Sequence, residues 1–253
     1  MTVLDLSPAP GAAPARQRVL RHGLTEARLL VRNGEQLLLA LVIPMGLLVA
    51  GRVLGGRFGS LETLAPSVLA LAVWSTAFTS VAIATGFERR YGVLERLACT
   101  PLGKSGLLAG KALAVVLVLL GQLVVLGVAA LLLGWRPAFT AGSALGALLL
   151  IVLAAAAFVS LALLLAGRLR AEATLGLANL VYVVLLVGGA LVLPVGRYPA
   201  AVQPLLELLP TAALGEGLRA AATGQLLGWP LLVCLVWSLL GGAAARKAFR
   251  WTA

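Results

Sequence analysis

The sequence is poor in the residues from which soluble surfaces and most active sites are made. Only 11% of its 253 residues are charged and 61% are hydrophobic, whereas a soluble domain of this size carries roughly 25% charged residues. Such a chain cannot cover its own surface with polar groups, so lipid must be its solvent. It holds one histidine, His22, one aspartate, Asp5, and two cysteines, Cys99 and Cys234. Metal sites, hydrolytic triads and a disulfide framework are therefore excluded at the outset. The nine acids are Asp5, Glu26, Glu35, Glu62, Glu88, Glu95, Glu172, Glu207 and Glu216. None falls in the middle of an apolar run, and only Glu62 lies near the edge of one. An ion-driven transporter ordinarily keeps a buried acid for its coupling ion, so that class is disfavoured, and an intramembrane enzyme has almost nothing to build with.

What is present is a series of charge-free runs and a net charge of +11. The positive residues sit in short clusters between the runs, without the basic stripe and interleaved aromatics of a nucleic-acid surface. A crossing needs about 20 apolar residues, which predicts an all-α bundle with six spans near 36–54, 64–86, 112–134, 141–167, 173–193 and 228–245. With both termini in the cytoplasm, only Arg52, Arg57, Arg136, Arg197 and Arg219 of the 20 basic residues lie outside. That bias follows the positive-inside rule. Residues 1–15, rich in proline and alanine, are expected to be disordered and are not a signal peptide, because the first apolar run starts too late.

Three segments are neither span nor simple turn. Over 16–35, Leu20, Leu24, Ala27 and Val31 recur on one helical face and Arg21, Arg28 and Arg32 on another, which predicts a helix lying in the headgroup layer. The segment 194–227, interrupted by Pro199, Pro204 and Pro210, is too broken to span and too apolar for a solvated loop; a re-entrant or surface-lying helical pair on the outside is expected. The connection 86–111 places Tyr91, Leu94 and Leu97 on one face of a short helix near 87–98, which Thr100-Pro101 ends. By pattern alone this helix suits either docking to a soluble partner or an ordinary interfacial position.

Inside the spans, Gln122, Ser160, Thr174 and Asn179 are candidates to line a pathway, with interhelical hydrogen bonding as the plainer alternative. Gly142 and Gly146 read as a close-packing pair, Pro44 as a kink, and Trp74, Trp135, Trp229 and Trp237 as interface anchors. Residues 98–105, ACTPLGKS, imitate a phosphate loop but lack its first glycine, a preceding strand and a magnesium-binding acid.

The connection 86–111 resembles the cytoplasmic loop of the ABC type-2 transporter permeases, whose pattern runs E-x-x-x-G-x-L-E-x-L-x-x-x-P-L followed by a small-residue stretch and a lysine. Glu88, Gly92, Leu94, Glu95, Leu97, Pro101, Leu102 and Lys111 match it, and Val93 departs where many members have threonine. Arg32, Asn33 and Pro44 are similar to the family's approach to its first span, and Pro210, Leu218, Arg219 and Gly224 to its external segment. The resemblance implies a permease half-transporter of a bacterial cell membrane, closest in wording to the drug- and antibiotic-export branch. Two such subunits would pair, each bound to a cytoplasmic ATPase that holds ATP and magnesium, and would export a hydrophobic or amphipathic substrate. An exporter of lipid-linked polysaccharide is the alternative within the family, and an ion-driven transporter the one outside it. Neither a nucleotide site, a metal nor a nucleic-acid partner is implied for this chain. The resemblance also assigns Glu88, Arg89, Tyr91, Gly92, Leu94, Glu95, Arg96, Leu97 and Pro101 to ATPase coupling, and Glu207, Pro210, Glu216 and Arg219 to the external re-entrant segment.

The orientation is open to direct measurement. A membrane-impermeant thiol reagent applied to intact cells should leave Cys99 unmodified and label an Ala200→Cys variant. Labelling of Cys99 under those conditions contradicts the topology.

Overall fold

The structure is a computed structural model that describes residues 11–32, 34–54 and 60–249, with backbone alone for 34–39 and 54. The expected tail therefore lies largely outside the described residues, as do Asn33 and Arg57. The described chain is helical throughout. In order it forms α1 (Ala15–Arg32), α2 (Gly34–Leu54), α3 (Leu61–Trp74), a π-helical segment (Ser75–Ser80), α4 (Val81–Arg90), α5 (Val93–Ala98), α6 (Gly103–Leu132), α7 (Ala141–Ala166), α8 (Ala171–Gly188), a 3-10 turn (Val195–Arg197), α9 (Gln203–Glu207), α10 (Pro210–Ala222) and α11 (Gly228–Ala248).

Five of these helices are long and apolar enough to cross a membrane: the continuous α3–π–α4 helix, α6, α7, α8 and α11. Six spans were expected. The first expected span falls on α2, a helix of 21 residues that is apolar over 40–53, where its side chains are described. The α3–π–α4 helix is the axis of the bundle, with 67% of its apolar window buried against 17–28% for the other four. Around it pack α2 and α6 on one flank and α7, α8 and α10 on the other, while α11 lies along α7 and α1 crosses the start of α6. The peripheral helices keep leucine and valine on their outer faces, among them Val124, Leu148, Val183 and Leu232, where hydrocarbon is the natural contact.

Local chemistry sets several boundaries. Thr140 and Ser143 form a reciprocal capping box at the start of α7, satisfying two amides that would otherwise be orphaned. Pro210 opens α10 at a position where no helical N–H is needed. Gly224 follows α10 at φ +81°, and a Cβ there would lie 2.9 Å from the Ala138 carbonyl, so only glycine permits the return beside the α6–α7 connection.

Two expectations from the pattern change. Trp74 is not an interface anchor: it is fully buried and stacks on Phe78 at 4.3 Å, with Phe158 edge-on at 4.8 Å. Trp135 is buried as well. Gly142 meets nothing within 4 Å, whereas Gly146 packs against Leu226, so the two do not form one helix-packing notch. On α1, Leu20, Leu24 and Val31 are exposed, and α6 is met by the face that carries Val19, His22 and Gly23. The apolar stripe thus points away from the bundle, the arrangement an interfacial helix requires.

Candidate functional site

Polar side chains concentrate at two places. One is the end of the bundle where α1, the end of α4, α5 and the start of α6 meet. The helix expected over 87–98 is broken there. The α4 helix stops at Arg90, Gly92 takes a left-handed φ of +65°, and α5 starts at Val93. The break turns Leu94 inward to 1% exposure, against α4 and α6, so Leu94 does not face a partner as its spacing suggested. Leu97 is half-buried, and Tyr91, Glu95, Arg96 and Pro101 are exposed. Arg96 Nη2 donates to the Tyr91 carbonyl at 3.0 Å, and the Arg90 guanidinium lies 5.7 Å from the Tyr91 ring centroid.

Glu88 and Arg89 are also turned to internal use. Lys111 Nζ, at the buried start of the apolar part of α6, donates to both Glu88 carboxylate oxygens at 2.8 and 2.7 Å. Arg89 is buried and its Nη2 donates at 2.6 Å to the carbonyl of Leu169, in the α7–α8 turn. Arg90 pairs with Glu172 at the start of α8. The turn therefore hangs from α6, α7 and α8 together. His22 lies in the α1–α6 crossing beside Gly110. Burial pushes its pKa below the ordinary 6.5, and Lys111 adds to this against the raising effect of Glu26. Burial disfavours the charged imidazole in the folded state, so the stability this contact contributes is present above pH 6.5 and is lost as pH falls below it.

The second place is the segment between α8 and α11. Arg219 of α10 is buried and reaches four acceptors: Ser67 Oγ at 2.7 Å, the carbonyls of Leu191 at 3.0 Å and Ala190 at 3.1 Å, and Glu216 Oε1 at 3.1 Å. Glu216 Oε1 in turn accepts from the Val195 amide at 2.7 Å. Ala190 holds a left-handed φ of 52°, which costs an L-residue of order 1–3 kcal/mol. Hydrogen bonds to a charged group contribute about 1.5–3 kcal/mol each, enough to offset it. A Cβ on Gly215 would lie 2.9 and 3.0 Å from the same two carbonyls, so glycine is required for the approach. Glu207 is exposed and takes no part, while Pro210 is buried.

The α10 helix runs from within the bundle to its rim. Near its start, Trp237 Nε1 donates to the Leu208 carbonyl at 2.8 Å, about 14 Å along α11 from Gly228. Past its end, the Ala138 amide donates to the Ala222 carbonyl at 2.8 Å, beside the α6–α7 connection.

The candidates for a pathway separate by geometry. Gln122 accepts from Thr76 Oγ1 at 2.5 Å and donates to the Ala40 carbonyl at 2.7 Å, tying α6 to the π-helical segment and α2. Ser160 bonds back to Ala156 and packs on Gly241. Thr174 is buried against Gly86. Asn179 alone is exposed, on the outer side of α8. The π-helical segment itself, which commonly marks a functional site, was not legible: STAFTS has no residue pattern that separates it from α-helix.

The described residues form a polytopic helical bundle that takes in a short helix from one rim and presents a stapled turn at the opposite end. The chain belongs to the ABC-2 transporters: residues 55–246 match the family described as ABC-2 family transporter protein. No protein of curated function matches it significantly. Members of this family are transmembrane permease subunits without a nucleotide-binding domain of their own and partner an ABC ATPase.

The Glu88–Lys111 pair is largely withdrawn from solvent, with side chains 18% and 9% exposed. Removing one partner strands a charge, whereas exchanging both does not. Lys111→Met should lower stability by about 2–4 kcal/mol, read as a fall in thermal unfolding midpoint in detergent, and Glu88→Lys with Lys111→Glu should recover most of it.

Proposed function

We propose that this chain is the membrane half of an ATP-driven exporter that moves a hydrophobic or amphipathic compound out of the cytoplasm. Two copies, or this chain and a related one, pair in the membrane of a bacterium. Each takes a cytoplasmic ATPase that carries ATP and magnesium. The chain contributes the pathway and the partner contributes the energy.

The observation that carries this reading is the turn at 88–101. Its exposed face offers Tyr91, Glu95, Arg96 and Pro101, an aromatic with charges of both signs, suited to a groove with complementary charge. Its inner face is fastened through Glu88, Arg89 and Arg90 to α6, the α7–α8 turn and α8. A force applied to the exposed face therefore moves three spanning helices as one. The exposed apolar stripe of α1, crossing α6 one turn from Lys111, supports a place for this end at the headgroup layer. The same stripe favours the cytoplasmic side, because Arg21, Arg28 and Arg32 flank it.

Glu95→Arg reverses an exposed charge whose side chain has no hydrogen bond or ion pair among the described residues, so the permease should fold and reach the membrane in normal amounts. It should retain markedly less ATPase on co-purification and lose substrate efflux. Gln225→Arg, exposed past the end of α10 beside the α6–α7 connection at the opposite end, is the control and should behave as wild type. Glu172 does not serve as a control, since it is the partner of Arg90. If Glu95→Arg keeps its ATPase and exports normally, the turn is not the coupling element.

A further inference from the structure

At the end of the bundle that carries the turn at 88–101, three acids are turned to internal use. Glu88 is taken by Lys111 and Glu172 by Arg90. Glu26, the one acid of α1, is turned inward beside His22, its side chain 16% exposed. The basic residues of α1 have no such partners. Arg21, Arg28 and Arg32 are exposed and form no ion pair among the described residues.

Their placement on the helix is ordered. Steps of seven and four residues put the three arginines on one row, at intervals of about 10 and 6 Å along the axis. Leu20, Leu24 and Val31 make a second row about a quarter-turn away, and all three are exposed. The remaining face lies on α6, where the His22 ring and the backbone at Gly23 approach Gly110 so closely that a Cβ on Gly110 would meet them at 2.4 and 3.3 Å. This contact fixes which faces of α1 stay outside. An apolar row calls for hydrocarbon, and a neighbouring row of guanidinium groups calls for phosphate, whose oxygens their planar forks match. A nucleic acid or an acidic protein answers the arginines but not the apolar row. A bilayer containing acidic phospholipid answers both.

We propose that α1 is a docking surface for acidic phospholipids: Arg21, Arg28 and Arg32 bind headgroup phosphates while Leu20, Leu24 and Val31 enter the acyl boundary. Because α1 crosses α6 beside Lys111, the partner of Glu88, the lipid-seated helix backs the inner side of the coupling turn. This names a lipid partner beyond the exporter reading, and the lipid contact itself does not depend on that reading.

The test uses the full chain with Cys99→Ser and Gln17→Cys, labelled with bimane at residue 17, which is exposed between the two rows. It is placed in phosphatidylcholine nanodiscs holding the same small mole fraction of brominated phosphatidylglycerol or of brominated phosphatidylcholine. The Cys99→Ser chain without the Gln17 change gives the background. Bromine quenches on contact, so the ratio of the two quenching constants reads the local enrichment of acidic lipid. That ratio should be at least about fivefold, the contribution of one arginine at a charged lipid surface, and should fall at high salt. Arg21→Gln, Arg28→Gln and Arg32→Gln together should bring it close to one and leave quenching by phosphatidylcholine unchanged. A label at Leu232→Cys, on the outer face of α11, should give a ratio near one throughout. A ratio near one at residue 17, an equal ratio at residue 232, or a preference that survives the triple substitution in a protein of normal thermal stability overturns the proposal. ATPase co-purification is measured on the same preparations. A retained ATPase with no lipid preference removes this inference and leaves the exporter reading; a lipid preference with no ATPase removes the exporter reading and leaves the docking surface.

Discussion

Away from water every backbone carbonyl and every charge must find its partner inside the protein, and Arg219 is where that constraint bears hardest on this bundle. The chain leaves α8 at Gly188 and does not continue as a helix, so the carbonyls of Ala190 and Leu191 lose their helical donors. The Arg219 guanidinium takes both, together with Ser67 of the central helix and Glu216 of its own. Five donors on a planar group allow this, where a lysine ammonium has three. The position of α10 depends on it, and so do the unusual backbone at Ala190 and the glycine at 215. The start of α10 and its packing on α3, α7 and α11 follow in turn.

The opposite end solves the same problem with different parts. Lys111 enters the apolar part of α6 as a buried cation and is neutralised by Glu88, and Arg89 caps the α7–α8 turn through the Leu169 carbonyl. Both ends thus use buried cations, Lys111 and Arg89 at one and Arg219 at the other, to fasten a break in the helical chain to its neighbours. They differ in what is left over. The arginine node keeps nothing exposed, whereas the turn at 88–101 keeps a face of charged and aromatic side chains turned outward. That asymmetry is why the turn, and not the arginine node, is the place to look for a soluble partner.

Much of this was legible in the residues, and the limits have physical causes. Hydropathy marks α7 and α11 closely because length and charge exclusion decide a span, but it misses the start of α6, whose first turns carry Lys104 and Lys111. It gives the apolar stripe of α1 but not the face that meets α6, since that contact is made by Gly23 and Gly110, which carry no hydrophobic signal. The spacing of Tyr91, Leu94 and Leu97 assumed an unbroken helix; the left-handed Gly92 rotates Leu94 inward, and no periodicity reports such a rotation. Glu88 and Lys111 were both visible in the loop pattern, yet 23 residues of separation hid the pair. Gln122 was visible as a buried amide, and its two bonds show the plainer of its two readings.

The account turns on Arg219 holding α10 inside the bundle, and Cys234 reports on that directly. Its thiol is fully buried beneath α10, 3.9 Å from the Pro210 carbonyl. In a Cys99→Ser background, the reaction of Cys234 with a small maleimide is measured with and without Arg219→Gln. The account predicts slow modification in the parent and modification at least about tenfold faster in the variant, as α10 loses its fastening and uncovers the thiol. Equal rates, with the variant folded and in the membrane, contradict the claim that this guanidinium holds α10 in place.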